Sequence, residues 1–538
     1  MDDNARQLSI SRMSMKDEDR LAELGYKQEL TRNWSLLHNF GVSFSIISII
    51  TGITTLFEYG LSTGGPGVMS VGWIVVCFFT MFVALGMAEI VSAVPTSGGP
   101  YFWAAILAPK RSAAFWSWIT GWFNLLGQVA VTTGITFGCA GLISTTATVQ
   151  SSYTPTAAKT IGIYAALLVS HTLVNSFGVK FLRYLNDTSV VLHSIGVSCF
   201  AIAVLAKAPT HQSAKFVFAT FYDGTGETGS EGWSMRASPA YVAVCGILMA
   251  QYTITGYDAS AHLSEETNNA SWNAPLGVLM SVGVSAVFGF FLIIALLFSI
   301  QDFQSTVDST VGQPVTQILI DIFGPKGAIA LMTLIICCVW HAGLFSLTSN
   351  SRMMFAFARD RGLPPFFDHV DPKFGAPIRT VCLAAFLAFL LAIPSLGSSV
   401  AFSAATSIAT IGLYISYGLP ILIGLIYHDS FQKGPFNLRW ASRPIALIAC
   451  LYIGFITIVF CLPELNPVTS QTLNYTPVAV GIVAAWAFGS WFLWARRWFT
   501  GPIRQIEEER MGIPIGDPAK LVQAEEKLDE KVGIEKIG

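Results

Sequence analysis

Long apolar runs separated by short polar stretches dominate the chain from about residue 38 to residue 497. Windows of about 20 mostly apolar residues, the length that crosses a bilayer as a helix, fall at 38–60, 68–94, 115–146, 159–178, 187–207, 238–261, 276–300, 326–356, 380–397, 400–427, 444–463 and 476–497. The pattern predicts an all-α membrane protein with twelve transmembrane helices and both chain ends on one side. A spanning domain at 36–500 is then flanked by polar tails at 1–35 and 501–538. The first tail lacks the apolar core of a cleavable signal peptide, so the first span is expected to direct insertion. The second tail, with "AEEKLDEKVGIEK", reads as a solvated helix or a disordered segment.

Two spans break the pattern at corresponding places. The first contains Ile50-Thr51-Gly52 followed by "ITTLFEYG"; the sixth contains Ile254-Thr255-Gly256 followed by "YDASAH". Glycine and a hydroxyl residue at mid-span let a helix unwind, and free backbone groups at membrane depth survive only inside protein or along a cavity. Five spans separate the two breaks. That spacing suits an inverted repeat of five plus five helices, about 36–207 and 238–427, with extra helices at 444–497. Half-helix N-termini in such an arrangement attract an anion, and unwound carbonyls attract a cation. The competing reading is close packing through small residues, and Ile-Thr-Gly recurs at 119–121 in the third span.

Composition agrees with the membrane reading: 53% of residues are hydrophobic and 12% charged, with mean hydropathy +0.57, against about 25% charged in soluble domains. The distribution of charge sets orientation. With the termini cytoplasmic, 26 of the 31 Lys and Arg lie in the tails and inner loops, leaving Lys159, Lys207, Lys215, Arg236 and Lys326 outside; the positive-inside rule favours that arrangement. The loop 262–275 dissents, carrying Glu265 and Glu266 without a basic residue. All nine cysteines lie in or beside apolar runs and read as core packing.

Carboxylates within spans are costly, about 2.5–3.5 kcal/mol each on the lenient insertion scale, and mark pathways or partners. Three stand out. Asp258, just past the second break, is placed to attract an amine or respond to a proton on the exterior side, or else to cap a half-helix or pair with a cation. Glu58 fits an outer vestibule. Glu89, ahead of "IVSAVPTSGGPYFW", fits a gate at the cytoplasmic end. Asn124 and Gln128, four apart and so on one helix face, either present amides to a central cavity or bond between helices. His171, His193 and His341 read as hydrogen-bonded packing or a proton relay. Cys337, Cys338 and His341 lack a fourth ligand, so no metal is expected, and no cofactor or nucleic acid either.

The stretches "LAELGYKQELTRNWSLLHNFGVSFSI", "TSGGPYFWAA", "GYDASAHLSEETNNASWNAP", "SRMMFAFARDRGLPP" and "ARRWFTGP" together resemble the amino acid/choline transporter family of the amino acid-polyamine-organocation superfamily, notably fungal permeases for 4-aminobutyrate (GABA) and related amino acids. The resemblance covers about residues 20–505. It implies the leucine-transporter fold, with helices 1 and 6 unwound, and alternating access. It also implies that the backbone N–H groups of Ile50, Thr51, Gly52 and Ile53 hold a substrate carboxylate. Carbonyls at Tyr252, Thr253, Ile254, Thr255 and Gly256 would receive the amine, with Tyr252 closing over it. Ile-Thr-Gly stands here where bacterial members have Gly-Ser-Gly.

The expected function is secondary active transport of GABA or a related amino acid, coupled to protons, in the plasma membrane or in a vacuolar or other internal membrane. A choline permease would want an aromatic cage for the ammonium, for which Tyr252 and Tyr257 are candidates. A polyamine permease would want more acids than these three. A nutrient receptor of the same fold would be expected to carry longer tails, and neither HExxH nor GxSxG points to an enzyme.

Overall fold

The computed structural model describes residues 34–502, except 228, 310, 398–400 and 429–430, together with Leu21 and Arg32. The readings made for the rest of the two tails lie outside the described residues. Among the described residues, eleven helices are long and apolar enough to cross a membrane: Leu36–Thr55, Gly65–Ala93, Lys110–Thr148, Ala157–Phe177, Val179–Lys207, Ala270–Phe298, Pro314–Arg359, Ile378–Leu396, Ala401–Ile426, Arg439–Val459 and Thr476–Arg497. The sixth expected span, 238–261, is instead a chain of short helices, Pro239–Gly246, Leu248–Thr253 and Ala259–His262. Its length in any one piece is too short to count as a spanning helix, because the backbone leaves helical geometry between Ile254 and Asp258.

Burial sorts the helices. The most apolar windows of Leu36–Thr55 and Lys110–Thr148 are 89% and 78% buried, whereas Ala157–Phe177 and Thr476–Arg497 are 17% buried. The first pair forms the protein's centre and the second pair its rim. Rim side chains such as Phe177, Ile482 and Phe492 are large, apolar and exposed, which suits hydrocarbon as the surrounding solvent. The Lys110–Thr148 helix packs chiefly on Ala401–Ile426, and Gly65–Ala93 on Ala270–Phe298. The nine cysteines are free. Cys77, Cys139, Cys245 and Cys338 are core residues, but Cys199, Cys337 and Cys382 are exposed, since the apolar runs that hold them turn one face outward.

The first helix is interrupted at Ser48, with φ 34° and ψ 74°, two residues before the expected break. A non-glycine residue in this region is strained by about 1–3 kcal/mol, so outside contacts must fix it. The Ser48 hydroxyl lies 2.5 Å from Thr51 Oγ1 and 2.7 Å from His193 Nε2. His193 sits in a π-helical turn, Leu192–Gly196, that bulges from the fifth spanning helix.

Candidate functional site

The two interruptions lie against each other. A Cβ at Gly52 would fall 2.7 Å from the Thr253 Cα and 2.3 Å from its Oγ1, so only glycine permits this approach of backbones. The second break is held open from within by hydroxyls, Thr253 Oγ1 donating to the Met249 carbonyl and Thr255 Oγ1 to the Gln251 carbonyl, both at 2.6 Å. Gly256 then turns the chain with φ 93°, a conformation that favours glycine.

The first helix supplies what the unwound second one lacks. Ser43 Oγ donates to the Tyr257 carbonyl at 3.1 Å and accepts from the Ser260 N–H at 2.9 Å. Asn39 Nδ2 donates to the Ser260 carbonyl and to Thr267 Oγ1, both at 2.9 Å. These bonds satisfy backbone groups that would otherwise be orphaned at membrane depth.

Between the breaks lies a cavity of about 10 Å³, lined by Ile47, Thr51 and Gly52 of the first, Tyr252, Thr253 and Thr255 of the second, and Val131 and Ile135 of Lys110–Thr148. That volume is the space of about one water molecule, so the two breaks are closed on each other in this conformation. Larger cavities of about 720 and 550 Å³ lie elsewhere, the first lined by Trp118, Trp122, Trp486, Trp494 and Trp498 and the second by Pro394, Ala404 and Tyr475; neither reaches the breaks.

The expected residues separate into groups. Thr51, Gly52, Tyr252 and Thr255 line the cavity. Ile50 and Ile53 are fully buried within the helix Ile49–Thr55, so they stand in a helical turn rather than in an unwound stretch. The Thr51 and Gly52 N–H groups bond to the Ser48 carbonyl at 2.7 and 3.3 Å, an arrangement that follows from the break falling at Ser48.

Gln128 and Asp258 meet: Gln128 Nε2 donates to Asp258 Oδ2 at 2.7 Å. Asn124 does not join them, since its Nδ2 donates to Ser416 Oγ at 3.0 Å, between helices. Glu58 is exposed in the short helix Phe57–Ser62. Glu89 accepts from the Leu438 N–H at 3.0 Å and from Ser442 Oγ at 2.5 Å, with Lys433 Nζ 3.4 Å away. It therefore clamps the Gly65–Ala93 helix to the 433–442 loop, away from the cavity.

Asp258 lies on the opposite side of the break from that expected. It is followed within one turn by His262, and Glu266 and Asn268 beyond it pair with the backbone of Trp34, the Glu266 carbonyl with the Trp34 N–H at 3.0 Å and the Asn268 N–H with the Trp34 carbonyl at 2.9 Å. The half of the molecule that starts the first helix thus also holds Asp258. The direction of the chain requires it, because the sixth segment runs toward that end.

Several residues of this end carried no site reading from the sequence. Arg359 Nη2 lies 3.1 Å from Glu265 Oε1 and Arg352 Nε 3.4 Å from Glu266 Oε1. The Ser97 N–H donates to Glu265 Oε1 at 2.9 Å, and Tyr101 donates to Asp360 at 2.8 Å. Burial pushes the Glu265 carboxyl up, but the Arg359 charge and the donors on it outweigh burial and hold it below its ordinary value. Burial keeps Glu266 above its ordinary value against the pull of Arg352. Spacing could have found His262, four residues past Asp258; nothing local could have found Ser97 or Arg359.

The amino acid permease family model matches residues 37–485. The chain belongs to that family. The permease is 43% identical over 504 residues to the amino-acid permease BAT1 homolog of Oryza sativa subsp. japonica, covering 91% of this chain and 96% of the relative. It is 41% identical over 506 residues to amino-acid permease BAT1 of Arabidopsis thaliana, covering 90% and 96%. It is also 31% identical over 514 residues to the GABA-specific permease of Saccharomyces cerevisiae, covering 94% and 88%. The permease is a transporter, not an enzyme, and an integral, multi-pass membrane protein.

Proposed function

We propose that the permease carries GABA or a related amino acid across the plasma membrane by proton-coupled alternating access, with both termini cytoplasmic. The observation that carries this reading is the apposition of two interrupted helices around a closed cavity, with the buried Asp258 beneath one of them. Thr51, Gly52, Tyr252 and Thr255 contact the substrate, and the cavity opens to admit it. A volume of about 10 Å³ excludes any amino acid, so transport requires the helices around the breaks to part and close in turn. The excess of Lys and Arg at the termini and inner loops supports the orientation.

The test is uptake of labelled GABA by cells lacking their own permeases, at several external pH values, with unlabelled amino acids, choline and putrescine as competitors. Saturable uptake that rises as external pH falls and is blocked by amino acids supports the proposal. Block by choline or putrescine, with no uptake of GABA, replaces it with a choline or polyamine permease.

A further inference from the structure

Five indole rings stand in a row beside the end of the last spanning helix. From Trp498 to Trp118, Trp122, Trp486 and Trp494 the ring centroids follow one another at 5.5–5.7 Å, each pair edge to face. The row starts and finishes on one turn, since Trp494 and Trp498 flank Ala495–Arg497. Together with the segment Arg361–Pro365 they wall the cavity of about 720 Å³, a volume within the range of about 300–1,000 Å³ that holds small ligands. Trp122 stands roughly 18 Å along the helix that starts at Lys110, and Trp486 roughly 10 Å before the helix end at Leu493. One leaflet of hydrocarbon is about 15 Å deep, so the cleft runs from the membrane surface down through a leaflet.

Tryptophans that only anchor a helix sit singly at the membrane surface. Here Trp486, Trp494 and Trp498 are exposed while Trp118 behind them is 2% exposed. The indole N–H of Trp122 is shut off from solvent and has no acceptor among the described residues. Anchoring requires neither feature.

The head of the cleft is basic. Arg361 lines it, and its guanidinium makes no hydrogen bond or ion pair among the described residues; the same holds for the exposed Arg496 and Arg497, between Trp494 and Trp498. Asp360, next to Arg361, is buried and accepts from Tyr101. The backbone holds Arg361 in place. Its N–H donates to the Ala358 carbonyl at 3.0 Å and the Gly362 N–H to the Phe357 carbonyl at 2.7 Å, the bonding of a helix-ending turn whose left-handed residue is usually glycine. At φ 65° that residue is Arg361. Gly362 cannot be replaced in turn, because a Cβ there would fall 2.1 Å from the Phe357 ring. The chain thus accepts backbone strain where it sets a cation over an apolar cleft.

We propose that this cleft binds an anionic phospholipid of the leaflet at that end of the protein, its phosphate on Arg361 and one acyl chain along Trp486 and Trp122. A guanidinium meets phosphate oxygens through paired N–H donors, and the indoles offer apolar surface and the Trp122 N–H. Arg496 and Arg497 add positive charge at the rim, which favours a lipid of net negative charge over a zwitterion whose ammonium would be repelled. Arg361 stands two residues past Arg359, the partner of Glu265, so a bound lipid braces that end of the Pro314–Arg359 helix. The site does not depend on the identity of the cargo.

The test is quenching of tryptophan fluorescence in the full chain, delipidated in detergent and titrated with lipids brominated in their acyl chains. Phosphatidylserine is expected to quench saturably with a midpoint about tenfold below that of phosphatidylcholine, the effect of one charge-assisted hydrogen bond. Arg361→Gln should bring the two midpoints together, and Arg361→Lys should keep part of the preference. Trp486→Phe should lower the amplitude of the saturable quenching, which places it at the cleft. Equal midpoints in the unmodified chain, a preference intact in Arg361→Gln, or an amplitude untouched by Trp486→Phe overturns the proposal. Absence of saturable quenching by either lipid also overturns it and leaves the cleft to the chain beyond residue 502 or to a second copy.

Discussion

His193 Nε2 accepts from the Ser48 hydroxyl at 2.7 Å, at the residue where the first helix adopts a left-handed backbone. The other ring nitrogen lies 2.8 Å from the Ser189 carbonyl, which fixes the tautomer and leaves Nε2 as the acceptor. A buried histidine read from sequence as packing or relay is thus the external support of the break. His193→Phe leaves the Ser48 hydroxyl with Thr51 alone and is expected to cost about 1–3 kcal/mol. Thermal unfolding of the purified protein and the uptake rate should fall together.

Gly99→Ala should be among the most damaging single-methyl additions. Its backbone, at φ 58° and ψ −133°, lies in a region almost restricted to glycine, and the added Cβ would meet the His262 ring. Folded yield in detergent is the measurement, and the expected loss exceeds about 1 kcal/mol. Gly141→Ala provides a control, because a Cβ added there meets nothing within 4 Å.

Arg359→Gln takes one cation from Glu265, which is 0% exposed and keeps the Ser97 N–H and the charge of Arg32. Removing one partner of a buried pair costs about 3–5 kcal/mol, and pairing it with Glu265→Gln should recover much of that loss. A double-mutant cycle on thermal stability measures the coupling. Because the Glu265 pKa lies below its ordinary value, its contribution is present above the usual carboxylate range and disappears only as pH falls through the lowered value. Stability from this pair should therefore be flat from pH 6 to 8.

Glu464 behaves in the opposite sense. It lies buried in the loop after the Arg439–Val459 helix, and burial pushes its carboxyl from 4.5 up to about 7, against a pull from Ser403. A raised pKa means that the stabilising form is the neutral acid, fully present below about 4.5 and lost as pH rises through 7. The midpoint of thermal unfolding should drop between pH 4.5 and about 7 and level off above that, and Glu464→Gln should flatten that drop. A variant with the same loss would assign the loss to another group.

The apolar windows located the helices because a bilayer imposes a length on them that any chain must meet. The two irregular segments were also legible, from Ile-Thr-Gly followed by polar residues, but their exact positions were not. Ser48 is left-handed through His193, 145 residues away, and Ile50 to Ile53 remain helical because that kink precedes them. Gln128 was noted for its helix face, yet whether it met a cavity or a neighbour depended on Asp258 coming 130 residues around the fold. Asn124, on the same face, met Ser416 instead.

The sequence by itself determined an all-α membrane protein, the helix-length apolar runs, and a membership in the amino acid permease family visible across most of the chain. Composition and periodicity suffice there because burial in hydrocarbon acts on each segment separately. Only the tertiary structure decided which polar groups share a hydrogen bond. His262 stands one turn past Asp258 on the same segment, but Ser97 reaches its ring from 165 residues away, and a contact of that kind has no local cause that a single stretch of sequence can display.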